Sequence, residues 1–415
     1  MDRRVLIVSL ILFAGGATGV GVALFAFVGL DDATADTEVV WDSDPAHGDD
    51  GSGAVVATVD GDPLIVQPAG AEALAVDGTD GADRDGLRAL DADGDVAWTH
   101  PLPNGVSATE TSGLVAGDFA GESAVAFTTD AGELVVVNAA DGEERFVIDL
   151  NDGAGFEPAF VDLTDDGETE LVAVTADGTL IAVDADGNDV LETALDGSPA
   201  LEPLAVAGDP EAETASGTLT SAGVAVLTDD GDDQRVSVVD GDGDVVWSEP
   251  TETTTLSWNA ADTRRGGIVA LGGVDGTLTT LEVADGASRY SVGLQDAPVD
   301  VGGADAGRIH VGGTGDLWAV DLLDGEVVWK QQYGGENRVN APAVGDVTGD
   351  GDEEIVVVNR GGGVLGTNSG GEAVLRGGLD DTIVYATPLL ADVTGESGDE
   401  VVIVTEDGRV VVLGV

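Results

Sequence analysis

Ala319-Val320-Asp321-Leu322-Leu323-Asp324-Gly325-Glu326-Val327-Val328-Trp329 is the stretch whose reading decides the fold. Two apolar, β-favouring runs flank an Asp-Gly pair, the strongest short-range signal for a tight hairpin, because glycine accepts positive φ without a Cβ clash. A bulky residue then closes the second strand. The phrase recurs with that bulky residue four positions after the turn glycine: Gly94 and Trp98, Gly142 and Phe146, Gly187 and Leu191, Gly243 and Trp247, Gly286 and Tyr290, Gly371 and Leu375. A single offset kept along the chain marks an internal repeat.

Both ends of the chain carry fragments of the same unit. Asp36-Thr37-Glu38-Val39-Val40-Trp41 nearly copies Asp324 to Trp329 but lacks the outer elements of a repeat. The chain stops at Gly408-Arg409-Val410-Val411-Val412-Leu413-Gly414-Val415, a strand that elsewhere is followed by the turn and the bulky strand. The first fragment supplies what the last repeat is missing, as expected of a closed ring without open sheet edges. Each repeat reads as four short strands; in the repeat ending at Leu375 these are Ala343 to Asp346, Glu354 to Asn359, Gly363 to Asn368 and Glu372 to Leu375. The anchors Trp41, Trp98, Phe146, Leu191, Trp247, Tyr290, Trp329 and Leu375 step by about 48 residues, a propeller-blade spacing. Gly and Asp-Gly interrupt every window before a helical period develops.

The expected fold is therefore all-β, an eight-bladed β-propeller of four-stranded blades, preceded by one N-terminal transmembrane helix. Residues 1–30 form the anchor or export signal, 31–51 a linker with the closing strand, and 52–415 the propeller. The blades fall at 52–103, 112–150, 156–195, 199–250, 255–294, 297–333, 340–376, and 386–415 with 36–42.

Arg3 and Arg4 precede an uncharged, mostly apolar run from Val5 to Leu30. At about 1.5 Å per residue that run exceeds a ~30 Å hydrocarbon core, and the arginines keep its start on the cytoplasmic side, so the acidic remainder lies outside the cell. The rival reading is a cleaved signal, with Arg3-Arg4-Val5-Leu6-Ile7 similar to a twin-arginine signal and Ala33-Thr34-Ala35 as the cleavage site. Both export the protein, as a single-pass membrane protein or a secreted one.

With 15 basic against 80 acidic residues, the formal net charge is −65. Nucleic acid is excluded as a partner, since phosphate binding needs the opposite sign. The carboxylates are spread among Val-rich strands and 43% of residues are hydrophobic, so the chain folds rather than forming an acidic tail. Such a surface suits a halophilic, archaeal host, because at ~1 M salt the screening length is about 3 Å. The absence of cysteine excludes disulfides, thiolate metal sites, a cysteine nucleophile and a lipid-anchored cysteine.

Three acidic loops carry candidate site chemistry. Asp346, Thr348, Asp350, Asp352 and Glu354 place oxygen ligands at alternate positions of a tight loop, with Gly351 at position six permitting a sharp bend around a hard cation such as calcium. Asp162, Thr164, Asp166, Glu168 and Glu170 match in spacing; Asp392, Thr394, Glu396 and Glu400 match less closely. The plainer reading is an acidic turn in a chain full of them. The Asp-rich run Asp77 to Asp85 reads as a solvated loop. His47, His100 and His310 stand in unrelated contexts, and no Ser/His/Asp arrangement or HExxH motif is visible.

Ala319 to Trp329 resembles the tryptophan-docking motif of the PQQ-like, quinoprotein-type propeller family, with Asp324 replacing the usual threonine. Ala89 to Trp98, Ala182 to Leu191 and Val238 to Trp247 resemble shortened versions. The acidic loops resemble FG-GAP and VCBS-type repeats of adhesive propellers, with Thr348 replacing the aspartate usual at the third position. At a fixed offset behind a hairpin, Trp98, Trp247 and Trp329 read as blade-packing residues rather than as residues that stack on a flat cofactor. Three functions fit the resemblance: a membrane-anchored extracellular binding or scaffold module for a protein or glycan, a PQQ-dependent dehydrogenase, and an envelope-assembly factor resembling propeller lipoproteins of bacterial outer-membrane machinery. The absent cysteines and the lack of long insertions to build a cofactor pocket speak against the enzyme, and PQQ is not expected. The missing lipidation cysteine speaks against the lipoprotein. A non-catalytic binding module needs no residue that the chain lacks.

Overall fold

The computed structural model describes residues 35–46, 53–70, 73–74, 85–102, 106, 113–129, 131–150, 156–209, 218–231, 233–263, 266–333, 337–379 and 382–415. The apolar segment at 1–30, His47 and most of the 77–85 run lie outside the described residues. No helix among the described residues is long and apolar enough to cross a membrane.

The described chain forms eight sheets; seven contain four sequential antiparallel strands from an inner to an outer position, and the eighth contains three and takes its outer strand from the N-terminal segment. Blade 3 illustrates the order: Ala159–Val161 innermost, then Glu170–Val174, Thr179–Val183 and the outer Asp189–Ala194. The inner strands touch their neighbours all the way round, and the first, Val55–Val59, touches the last, Leu389–Ala391. The eighth sheet is completed by Glu38–Asp42 beside Val410–Gly414, in the order expected from the two chain ends.

The N-terminal segment does more than the sequence suggests. Before it joins blade 8, Ala35–Asp36 pairs in parallel with the outer strand of blade 7, Ala373–Gly378. Blade 7 thereby has five strands, as does blade 4, where Ser198–Pro199 adds to Ala222–Asp229. On its other side the segment is held by blade 1: buried Arg88 donates through Nη2 to Asp44 O at 3.0 Å and to Ser43 Oγ at 3.3 Å. One short stretch therefore bonds to three blades.

The second strands show why the hydrophobic pattern is continuous rather than alternating. Glu170–Val174, Glu354–Val358 and Glu400–Val404 are buried at every position, because each blade is packed between two others. The apolar side chains collect at the seams. Ala57, Leu87 and Trp98 of blade 1 pack with Val125, Phe127 and Val137 of blade 2, and Ile65 and Leu90 of blade 1 pack with Val402, Val404 and Val412 of blade 8.

At the hairpins the Asp-Gly signal forms a turn longer than two residues. In blade 3, Gly187 N donates to Asp184 O at 3.0 Å and Asp184 N to Asn188 O at 3.0 Å. Only the glycine has positive φ, 76° at Gly187, and the outer strand bulges at once, with the register shifting between Ala182 and Val183. A turn with one left-handed glycine followed by a bulge re-aims the next side chain. That side chain is the anchor.

Candidate functional site

Each anchor pairs with a residue of the third strand in its own blade, Trp98 with Ala89 and Trp329 with Ala319, and every anchor except Leu375 lies against the turn glycine of the following blade. A Cβ added at Gly142 would stand 2.5 Å from the Trp98 ring, and one at Gly286 2.7 Å from Trp247. The indole N–H then finds a carbonyl in the same turn: Trp98 Nε1 to Ala139 O at 2.8 Å, Trp247 Nε1 to Val283 O at 2.7 Å, Trp329 Nε1 to Ser369 O at 2.9 Å. Where the anchor lacks an indole, a neighbour supplies the donor. Beside Leu191, Thr193 Oγ1 donates to Gly243 O at 2.7 Å; beside Tyr290, Arg289 Nη1 donates to Leu322 O at 3.2 Å. Phe146 covers Gly187, and Leu375 is fully buried between blades 7 and 8. The glycine and the anchor four residues later thus serve opposite seams.

The acidic loops join inner to second strands at one end of the ring. Their last carboxylates turn inward onto backbone amides. Glu170 Oε2 accepts from Leu163 N at 2.8 Å and Thr164 N at 3.2 Å. Glu354 Oε2 accepts from Val347 N and Thr348 N at 3.2 Å, and Glu400 Oε2 from Val393 N at 2.7 Å and Thr394 N at 3.1 Å. The first positions do the same: Asp162 accepts from Asp166 N and Gly167 N, Asp346 from Asp350 N and Gly351 N, and Asp392 from Gly395 N. Burial, opposed by the Thr348 amide, pushes the Glu354 carboxyl up, and nearby Asp350 and Asp346 push it further. Asp166, Glu168, Asp350, Asp352, Asp392 and Glu396 are exposed. These donors face amides or solvent instead of converging, and among the described residues no group of three or more His, Cys, Asp and Glu side chains is placed to hold a metal. The loops of blades 7 and 8 meet at Asp399, whose carboxyl is raised first by burial and then by Asp346 and Asp392.

His310 is buried in the second strand of blade 6, with Nε2 2.6 Å from Asp305 Oδ1 and its ring centroid 5.7 Å from that of Trp329. It is a core residue beneath an anchor.

The repeat reading misses the central channel, at the end of the ring opposite the acidic loops. A cavity of ≈ 740 Å³ is lined where the inner strands begin, by residues from all eight blades. One wall carries Glu157 and Glu202, with Phe156 and Trp258; the other carries Arg338, Arg360 and Tyr385. Trp258 Nε1 donates to Glu202 O at 3.1 Å. Burial first, and the Glu157 charge second, push the Glu202 carboxyl up to about 7. Arg338 Nε donates to Asp300 Oδ2 at 2.7 Å, and Arg360 lies over the Tyr385 ring with Cζ 5.0 Å from its centroid. A signal existed in the chain: Phe156-Glu157-Pro158 and Leu201-Glu202-Pro203 are equivalent triplets ahead of inner strands.

A repeat-family profile described as outer membrane protein assembly factor BamB matches residues 83–219 and 167–306, which together span more than half of the 415 residues. Among solved structures, BamB from Moraxella catarrhalis is similar at 16% identity, covering 92% of this chain and 98% of that one with a TM-score of 0.55. Sqt1 from Saccharomyces cerevisiae gives 12% identity, 92% and 98% coverage and a TM-score of 0.62. The computationally designed Ika8 protein gives 17%, 89% and 96%, and 0.60. At these identities the likeness is one of fold. No curated protein matches the chain.

Proposed function

The chain belongs to the repeat family described as outer membrane protein assembly factor BamB, and we propose on that premise that it is an exported, non-catalytic scaffold that docks a protein partner at the cell surface. The observation that carries this reading is the acidic loop end. Each loop is closed on itself by a buried glutamate, so its exposed carboxylates are held on a fixed frame before any partner arrives. A prepaid ordering cost of this kind favours binding. The anchors that could have stacked on a flat cofactor are used between blades, which argues for a scaffold over a PQQ-dependent dehydrogenase.

The apolar segment at 1–30 is the proposed membrane anchor, and its orientation sets the propeller outside the cell. The partner surface expected opposite the loops is basic, since Asp166, Glu168, Asp352 and Glu353 all face solvent. The test is zero-length crosslinking on intact cells expressing the full chain. A discrete heteromeric product, lost when Asp352 and Glu353 are changed to lysine, supports the proposal. Products containing only this chain, or a heteromeric product untouched by the charge reversal, count against it.

A further inference from the structure

The channel carries Glu157 and Glu202 on one side and, on the opposite side of the ring, Arg360 together with Arg338, which is paired with Asp300. Glu157 and Glu202 stand ahead of the inner strands of blades 3 and 4; Arg360 belongs to blade 7 and Tyr385 leads into blade 8. The arrangement is unlike the rest of the surface, where 80 acidic residues leave few places for a guanidinium.

Each wall is assembled by bonds between blades. On the acidic wall the Trp258 indole N–H of blade 5 donates to the Glu202 backbone carbonyl of blade 4 at 3.1 Å, which fixes this wall across the seam between the two blades. On the basic wall, Arg360 N donates to Arg338 O at 3.0 Å and Val384 N to Arg360 O at 3.3 Å, so three segments form a short ladder. Asn340 Nδ2 donates to Val384 O at 3.3 Å and Ala386 O at 2.8 Å, gripping the chain on both sides of Tyr385. Groups held in this way recognise a ligand without reorganising.

Two carboxylates close enough for the charge of one to raise the other suit an ammonium group through charge. A guanidinium stacked on a phenol ring suits a carboxylate. A cavity of ≈ 740 Å³ lies within the ~300–1,000 Å³ range of ligand sites. We propose that the channel binds a short zwitterionic peptide, with its terminal ammonium at Glu157 and Glu202 beside Trp258 and its terminal carboxylate at Arg360 beside Tyr385. This site is separate from the acidic loops, and it stands whether or not they dock a partner.

Binding has a proton signature. An ammonium beside Glu202 lowers a carboxyl that sits at about 7 in the empty channel, so peptide binding at neutral pH releases protons.

The experiment is calorimetric titration of the full chain, in molar KCl at pH 7, with oligoglycines of increasing length. The expected result is saturable binding at one preferred length, a heat that depends on buffer ionisation enthalpy, and at least a tenfold loss of affinity when either terminus is blocked by acetylation or amidation. Glu202→Gln is expected to abolish the dependence on a free amino terminus, and Arg360→Gln the dependence on a free carboxylate, with both variants checked for an unchanged circular dichroism spectrum. Absence of saturable binding at every length overturns the proposal, as does binding indifferent to blocked termini. Because the blocked peptides are tested on the unaltered chain, a variant that fails to fold leaves the proposal testable. Lysine at Asp352 and Glu353, which probes the loop face, is expected to leave peptide binding unchanged.

Discussion

Trp41 of the closing strand covers Gly94 of blade 1: a Cβ at Gly94 would stand 2.8 Å from the indole, whose Nε1 donates to Ala92 O at 2.8 Å. The contact repeats the one made at other seams, but here it joins the first and last blades. A chain beginning at Gly51 lacks this seam, the outer strand of blade 8 and the strap on blade 7. It is expected to melt lower and over a broader range than a chain beginning at Ala35. Equal midpoints and equal cooperativity by scanning calorimetry would sink the closure model.

Single glycines at the seams are expected to be costly to replace. Gly94 and Gly325 have φ of 80° and 73°, and a Cβ at Gly325 would lie 2.5 Å from the Tyr290 ring. Valine at either position combines backbone strain with overpacking, a loss of about 3 kcal/mol by urea denaturation. Valine at Gly307, which also has positive φ but nothing within 4 Å, is expected to cost only the strain.

In the acidic loops the buried glutamates are expected to act as structural acceptors. Glu354→Ala strips two amides of their acceptor and should destabilise by about 1–3 kcal/mol, with Glu170→Ala behaving alike. Because the donors face amides, calcium added in molar KCl is expected to give neither heat nor a higher melting temperature. A rise in melting temperature that Asp350→Asn abolishes would establish a calcium site in this loop.

The pH dependence of stability should report the channel. A carboxyl raised on folding binds more protons in the native than in the unfolded state, so its contribution to stability falls as pH rises. For Glu202 the window runs from its ordinary value of 4.5 to about 7. Glu202→Gln should therefore flatten the decline of the melting temperature across that window. An unchanged slope would mean that Glu202 is no more buried than a surface glutamate.

A net charge of −65 makes dilute buffer unfavourable to the compact state. The unfolding midpoint should climb steadily from tenth-molar to molar KCl as screening shortens to about 3 Å. A midpoint that does not respond to salt contradicts the high-salt reading of the composition.

Much of the fold was legible because a propeller blade is a local object. The Asp-Gly turn and its anchor lie within one hairpin, and hairpins are written in adjacent residues. Trp98 and Trp329 were identifiable as packing residues from their offset alone. What they pack against was not, since Gly142 and Gly371 belong to the next repeat. The acidic loops show the opposite limit. Alternate oxygens are visible in Asp346 to Glu354, but the direction of each carboxylate is set by the amides exposed in the turn. His310 reads as an isolated histidine until Asp305 and Trp329 are placed around it.

The sequence by itself determined the number of blades, the strand order within each, and the completion of the last sheet by the first strand. All three follow from period, offset and turn chemistry, which act over a few residues. Only the tertiary structure decided how the seams are bonded, that Ala35–Asp36 also straps blade 7, and that Glu202 and Arg360 line one channel. Those facts depend on ring closure, which brings together inner-strand ends far apart in the chain. No local pattern encodes such a distance, because it is fixed by the angle between blades summed around the whole ring.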